Sequence, residues 1–240
     1  MNLVHVQPTL YKLATFLPPI CADSQPAGLA VLLQWPKASG FRLQTNQHNA
    51  STTAATQVHA DASRFADGVT KSDAYEQVLL QAEGLMTDQR NWSCKSNLAN
   101  AASLLWHAYR SLPSPSNAVN WAGFYVVDPS AANERLILGP FQGKVACQTI
   151  AFGRGVCGAA ASTAETQLVS DVGAFPGHVA CDSDSRSEIV VPVLADRGGG
   201  GVKSVVAVID VDCAVVGGFD DLDRTYLEKL AEMLGKGCDW

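Results

Sequence analysis

No run of apolar residues in this 240-residue chain is long enough to cross a bilayer, so nothing in the sequence supports a membrane-spanning role. Lys and Arg are scarce, 17 against 23 Asp and Glu for a net charge of −6, and they never gather into a stripe. That scatter argues against nucleic acid or an anionic membrane surface as the main partner. No two of the seven cysteines stand in a CxxC pair, the spacing of dithiol motifs and of many zinc sites. An obvious secretory signal is also missing, so the thiols are expected to be reduced and the protein cytoplasmic.

What is present begins with a 47% apolar composition, enough for a normal globular core. Residues 1–66 stand apart from the rest. They carry only Lys12, Lys37, Arg42 and Arg64 against Asp23 and Asp61, with a polar stretch from Gln44 to Ser63. Such a segment buries too little apolar surface to offset its ordering entropy, which predicts a poorly ordered extension. Its acid-poor start resembles an organelle-targeting signal in composition, although Arg is absent and Pro8, Pro18 and Pro19 would interrupt a helix. Residues 67–240 read as one α+β domain.

In that domain Tyr75, Val78, Leu79, Ala82, Leu85 and Met86 recur at helical spacing behind a capping box of Asp73 and Glu76. A second helix, capped near Ser96 or Asn97, presents Leu98, Ala101, Leu105, Ala108, Tyr109 and Leu112 before Pro113 ends it. Strand-like runs follow at 120–127, 134–139, 144–150, 166–172, 188–194 and 202–212. Helical stretches interrupt or close them at GVCGAAAST and at DLDRTYLEKLAEML. The latter has Asp220 as cap and Leu222, Tyr226, Leu230, Met233 and Leu234 as its apolar face.

The candidate chemistry is concentrated downstream of residue 120. Cys147, Cys157 and Cys181 lie close in sequence but outside any short pairing, which suits sulfurs brought together by the fold. Asp182, Asp184 and Glu188 follow as candidate proton donors. Cys157 sits where a glycine-rich turn enters a helix, a setting that lowers a thiol pKa, and Cys181 lies in a polar loop between His178 and Asp182. The turn satisfies GxGxxG through Gly153, Gly155 and Gly158. A dinucleotide site is nevertheless not expected, because no acid follows in a matching βαβ unit. His178, Cys181, Cys147 and Cys157 lack the paired spacing of a structural zinc site, so no metal is assigned. No role is given to Cys21, Cys94, Cys213 or Cys238, and Cys238 is expected to be exposed.

If the hairpin through DRGGGG pairs symmetrically about residue 199 or 200, Glu188 falls opposite Asp210 or Asp212, which share one strand face. Three carboxylates then cluster among apolar neighbours. Such a cluster calls for solvent, a cation or a raised pKa, and a substrate ammonium is the favoured cation. Trp121 and Tyr125 alternate on one strand face with Gly123 between them, as core or as a ligand wall.

NWAGFY, LGPFQGKVAC, FGRGVCG, AFPGHVACDSDSRSEIVVPV and VIDVD together resemble the free methionine-(R)-sulfoxide reductase family, over roughly residues 70–234. The resemblance implies a GAF-like fold: a mixed, mainly antiparallel six-stranded sheet with helices to one side, in a homodimer. It implies that Cys181 attacks and that Cys147 and Cys157 resolve the oxidised enzyme, with the roles of Cys181 and Cys157 interchangeable at this stage. It also implies that Trp121 and Tyr125 wall the sulfoxide end, while Glu188, Asp210 and Asp212 hold the amino group and assist proton transfer. The implied reaction reduces free L-methionine (R)-S-oxide through a cysteine sulfenic acid and an intramolecular disulfide. A thioredoxin-type dithiol would be the electron donor and no cofactor would be bound. A GAF module that senses a small ligand without catalysis is the alternative.

Overall fold

The computed structural model describes residue 65 and residues 68–87, 94–131, 135–178 and 182–240. The predicted extension therefore lies outside the described residues, apart from Phe65, which packs against the core. All described residues belong to one unit, residues 54–240.

Six strands form one sheet: β1 (Val119–Val127), β2 (Arg135–Gly143), β3 (Thr149–Ala151), β4 (Gln167–Val169), β5 (Ser187–Ala195) and β6 (Ser204–Cys213). Their order is β3-β2-β1-β6-β5-β4, and every neighbouring pair is antiparallel. The expected mixed sheet is corrected on this point. A parallel pair needs a crossover that returns beside its own strand, whereas here the helix after β3 carries the chain from one sheet edge to the other, where β4 begins.

Two predicted strands shrink to three residues. In 144–150 the loop Lys144–Gln148 takes most of the run, because Trp121 Nε1 and Tyr125 Oη donate to the carbonyls of Lys144 (3.1 Å) and Cys147 (3.0 Å). In 166–172 the Asp171 carboxylate accepts from the backbone of Gly173 at 2.9 Å and turns the chain after Val169.

Helix α1 (Lys71–Met86) begins ahead of the expected cap. Thr70 is the N-cap and Asp73 its reciprocal partner, so Asp73 closes the capping box rather than opening it. Helix α2 (Cys94–Ser111) likewise starts before Ser96 and buries the predicted face. Helix α3 is Gly155–Thr163, and α4 (Asp221–Gly237) is capped by Asp220 as expected. Leu222 departs from prediction: it lies in the first turn of α4 and is 37% exposed.

Alternation along the central strands sorts the layers. Ala122, Phe124, Ile189, Val191, Ala207, Ile209 and Val211 face the core built with α1, α2 and α4. Trp121, Tyr125, Val190 and Val208 point the other way and pack with Val156, Cys157, Ala160 and Ala161 of α3. Helices thus cover both faces, correcting the expectation of one side. Full burial of a side chain such as Phe124 or Ile209 contributes about 1.5–3 kcal/mol, so the larger helical layer anchors the sheet while α3 closes the smaller one. A polar tie missed in the sequence joins the large layer. Asp223 is fully buried, and it accepts from Lys71 Nζ at 2.6 Å and Tyr75 Oη at 2.8 Å, linking α4 to α1.

Candidate functional site

The β5–β6 hairpin places Glu188 directly opposite Asp212 and Val190 opposite Asp210. A register shift falls between Val193 and Leu194, next to the glycine-rich loop, so the pairing at the carboxylates keeps the predicted symmetry. Glu188 and Asp210 are each 6% exposed. All three acids line a cavity of about 250 Å³ with Cys147, Arg154, Cys157, His178, Asp182 and Ser185.

Helix α3 brings Cys157 over the acids. Gly155, with φ +61°, makes the turn into the helix, and a Cβ on Gly158 would collide with the carbonyl oxygen of Ala151. The glycine motif therefore packs α3 tightly against β3, which accounts for the glycines without a phosphate. Cys157 Sγ lies 3.8 Å from Glu188 Oε1, and His178 Nε2 lies 3.8 Å from Glu188 Oε2. One oxygen of Asp210, Oδ1, is buried with no hydrogen-bond partner.

Burial dominates the electrostatics. Desolvation first, then the neighbouring carboxylates Asp210 and Asp212, push the Glu188 carboxyl well above its ordinary range. Asp212 is raised by burial and by Asp210, and burial pushes Asp210 up to about 7. Glu188 is thereby biased toward its protonated form, and Asp210 titrates near neutrality. The Cys157 thiol is also pushed up, by burial and then by Asp210 and Glu188. That reverses the expected helix-terminus activation, because a desolvated thiolate beside carboxylates costs more than one short helix end returns. Burial lowers the pKa of His178.

Asp182 does not suit the role of proton donor. The backbone amide of Asp184 holds its carboxyl below the usual range, and Lys144 and the Asn120 amide group add to the effect. Lys144 also pairs with Asp184, a contact between half-open side chains. Trp121 and Tyr125 are fully buried and are not among the residues lining the cavity. They stack at 5.9 Å, Phe141 also stacks on Trp121 at 5.3 Å, and through their hydrogen bonds the two rings hold the loop carrying Cys147. Tyr125 still stands beside the acids, since Asp210, Cys157, Asp212 and Glu188 all add to the burial that raises its hydroxyl pKa.

Cys147 is disulfide-bonded. Cys157, Cys213 and Cys238 stand outside any disulfide and all are buried, so the expected exposure of Cys238 is corrected. It is the C-cap of α4, and its sulfur accepts from Asn97 Nδ2 at 3.7 Å. Cys181 lies outside the described residues, as do its neighbours 179–180. The described residues on either side, His178 and Asp182, both line the cavity. Asn120, Lys144 and Ser185 complete the surroundings, and sequence reasoning did not single them out. Asn120 donates to Asp182 at 3.3 Å and Ser185 at 3.1 Å, an arrangement visible only once β1 lies beside the loop before β5.

No family model matches the chain. Curated and solved relatives do. The chain is 53% identical over 180 residues to the free methionine-R-sulfoxide reductase of Saccharomyces cerevisiae, covering 75% of this chain and 94% of that protein. A solved GAF domain matches with TM-score 0.69 and 48% identity, over 78% of this chain and all of the other. A free methionine-R-sulfoxide reductase from Neisseria meningitidis, solved in complex with its substrate, matches with TM-score 0.61 and 40% identity, over 71% of this chain and 91% of the other.

Proposed function

The chain belongs to the family of free methionine-R-sulfoxide reductases, with a GAF fold, and from that premise we infer that it reduces free L-methionine (R)-S-oxide to L-methionine. It is an oxidoreductase acting on methionine sulfoxide. The observation that carries the finer reading is one recess holding a buried carboxyl trio, the free thiol of Cys157 and the disulfide-bonded Cys147.

Asp210 and Asp212 receive the substrate ammonium, and Arg154, the one arginine or lysine among the described lining residues, faces its carboxylate. Tyr125 and Trp121 back the sulfoxide end. A peptide-bound methionine brings a neutral amide in place of the ammonium and leaves buried carboxyls without a cation, which is the physical basis of selectivity for the free amino acid.

Cys181 is the attacking thiolate. Its sulfur bonds to the sulfoxide sulfur, Glu188 gives a proton to the oxygen, and as the old S–O bond breaks the hydroxyl passes to the Cys181 sulfur and methionine departs, leaving Glu188 as the carboxylate. The methionine sulfur gains two electrons and Cys181 loses two, ending as a sulfenic acid. The Cys147 thiol attacks that sulfenic acid, a disulfide forms and water leaves. A thioredoxin-type dithiol then exchanges with the disulfide, restoring both thiols and leaving oxidised itself. Cys147 is favoured over Cys157 as the resolving residue, because Cys147 is the one found in a disulfide while Cys157 stays a raised-pKa thiol against Glu188. The homodimer implied by the family resemblance belongs to this reading and is tested by sedimentation.

The test supplies purified protein with a small dithiol and each sulfoxide epimer, free and peptide-bound, and measures methionine. Methionine is expected from the free (R) epimer alone, with turnover abolished in Cys181→Ser. Full turnover in that variant overturns the nucleophile. Binding of the free amino acid with no product favours the sensory module.

A further inference from the structure

We propose that Cys157, Glu188 and Asp210 form a binding site for a divalent cation of the zinc class, whose occupation excludes the substrate ammonium. The proposal rests on the reductase reading only in its second half. One donor atom from each of the three residues lies within 4.8 Å of the other two, and all three residues are buried. The Sγ to Oε1 separation between Cys157 and Glu188 is 3.8 Å. Two such donors on a tetrahedral ion, at ordinary zinc–sulfur and zinc–oxygen bond lengths, stand about 3.5 Å apart, so a shift of a few tenths of an ångström completes the chelate.

A second feature points to a ligand. Asp210, 94% buried by its 6% exposure, keeps Oδ1 without a hydrogen-bond partner on the wall of the cavity. A buried carboxylate oxygen left unmatched is costly and asks for a cation or donor delivered through that cavity. The donor set selects the ion. One sulfur and two carboxylates, all on buried residues around a small recess, suit a borderline-soft tetrahedral metal. Calcium takes six to eight oxygens and magnesium keeps several waters in an octahedron, and neither fits.

The site survives oxidation of the enzyme. With Cys147 held in its disulfide, Cys157 is still a free thiol, so the metal can occupy the form that awaits reductant as well as the reduced form. An ammonium group and the metal claim the same carboxylates, so each displaces the other.

Full-length protein in the disulfide form, stripped with EDTA and dialysed, is titrated with cobalt chloride. A thiolate-to-cobalt charge-transfer band in the near ultraviolet is expected at one ion per chain, removed by zinc chloride and weakened by free methionine. Cys157→Ser loses the band, whereas Cys213→Ser and Cys238→Ser keep it, with circular dichroism showing each variant folded. Asp210→Asn, which leaves the thiol in place, raises the dissociation constant at least about tenfold. No band in the parent protein, or a band that survives Cys157→Ser, overturns the site. Indifference of the band to methionine overturns the exclusion. Protein that makes methionine but binds no cobalt sinks the metal site alone, and protein that binds cobalt through Cys157 but makes no methionine sinks the reductase reading alone.

Discussion

Glu188 and Asp212 are direct cross-strand partners on β5 and β6, two acids facing one another on the cavity side of the sheet. Like charges so placed repel, and burial raises the pKa of both, so a proton or a bound cation relieves the pair. In the proposed mechanism Glu188 is the proton donor and Asp210 and Asp212 are the cation acceptors. Glu188→Gln keeps the shape and removes the proton, so kcat is expected to fall about 10²-fold or more with KM nearly unchanged. Asp210→Ala and Asp212→Ala are expected to raise KM about tenfold or more while kcat falls less. Steady-state kinetics with free sulfoxide decide it. Equal effects on both parameters in all three variants would remove the division.

Binding should depend on pH through Asp210, whose carboxyl is pushed up to about 7 by burial. An ammonium is attracted by the carboxylate and not by the acid, so it drives the proton off. Affinity for free methionine is therefore expected to weaken as pH falls below about 7, with proton release on binding near neutrality. Calorimetry in EDTA-containing buffers from about pH 5.5 to about pH 8.5 reads both. Asp210→Asn should bind more weakly and lose the slope across that range; a slope unchanged in the variant assigns the titration to another group.

Stability follows the same group with a definite sign. The ordinary Asp value of 3.8 applies to the unfolded chain and about 7 to the folded one, so the native state holds the proton more tightly. The stabilisation is complete below about pH 4 and is lost as pH rises through about 7, amounting to a few kcal/mol shared among the coupled acids. Asp210→Asn removes the buried charge. Its Tm is expected to exceed that of the parent at about pH 8, and the two to converge toward about pH 4. A variant less stable than the parent at every pH would mean that Asp210 contributes through its contacts and not its charge.

The carboxyl trio was legible in the sequence because strand alternation and a symmetric hairpin fix it arithmetically. With β6 running unbroken from Ala207 to Asp212, Glu188 had to meet one of the two aspartates. The helical faces were legible for the same reason of period. Cap positions were not: Thr70 and Asp73 satisfy the box as well as Asp73 and Glu76, and only the first gives Lys71 its reach to Asp223. The raised Cys157 thiol was missed because a helix N-terminus is local and readable, whereas the acids that oppose it arrive from β5 and β6. The loop Lys144–Gln148 read as a strand because its composition is strand-like. What holds it out of the sheet is two aromatic donors on another strand.

Those two donors depend on Gly123. A Cβ there would run into Phe141 Cβ, and would stand 2.7 Å from Trp121 Cη2 and 2.8 Å from Phe141 Cα, so Ala must part β1 from β2 or tilt the indole. Tilting Trp121 disturbs its hydrogen bond to Lys144 and, through the loop, the position of Cys147. Gly139 is the matched control. A Cβ there meets Phe124 O at 2.9 Å and Val126 Cγ2 at 3.2 Å, straining the same strand pair on the face packed against α1, α2 and α4. Both Gly→Ala changes are expected to cost about 1–3 kcal/mol of stability by thermal unfolding. Only Gly123→Ala should also raise KM for the free sulfoxide and slow closure of the disulfide, measured by thiol titration after a single turnover. Were Gly139→Ala to alter KM and disulfide closure as much, strain in the strand pair would explain both, and the aromatic stack would lose its role in positioning Cys147.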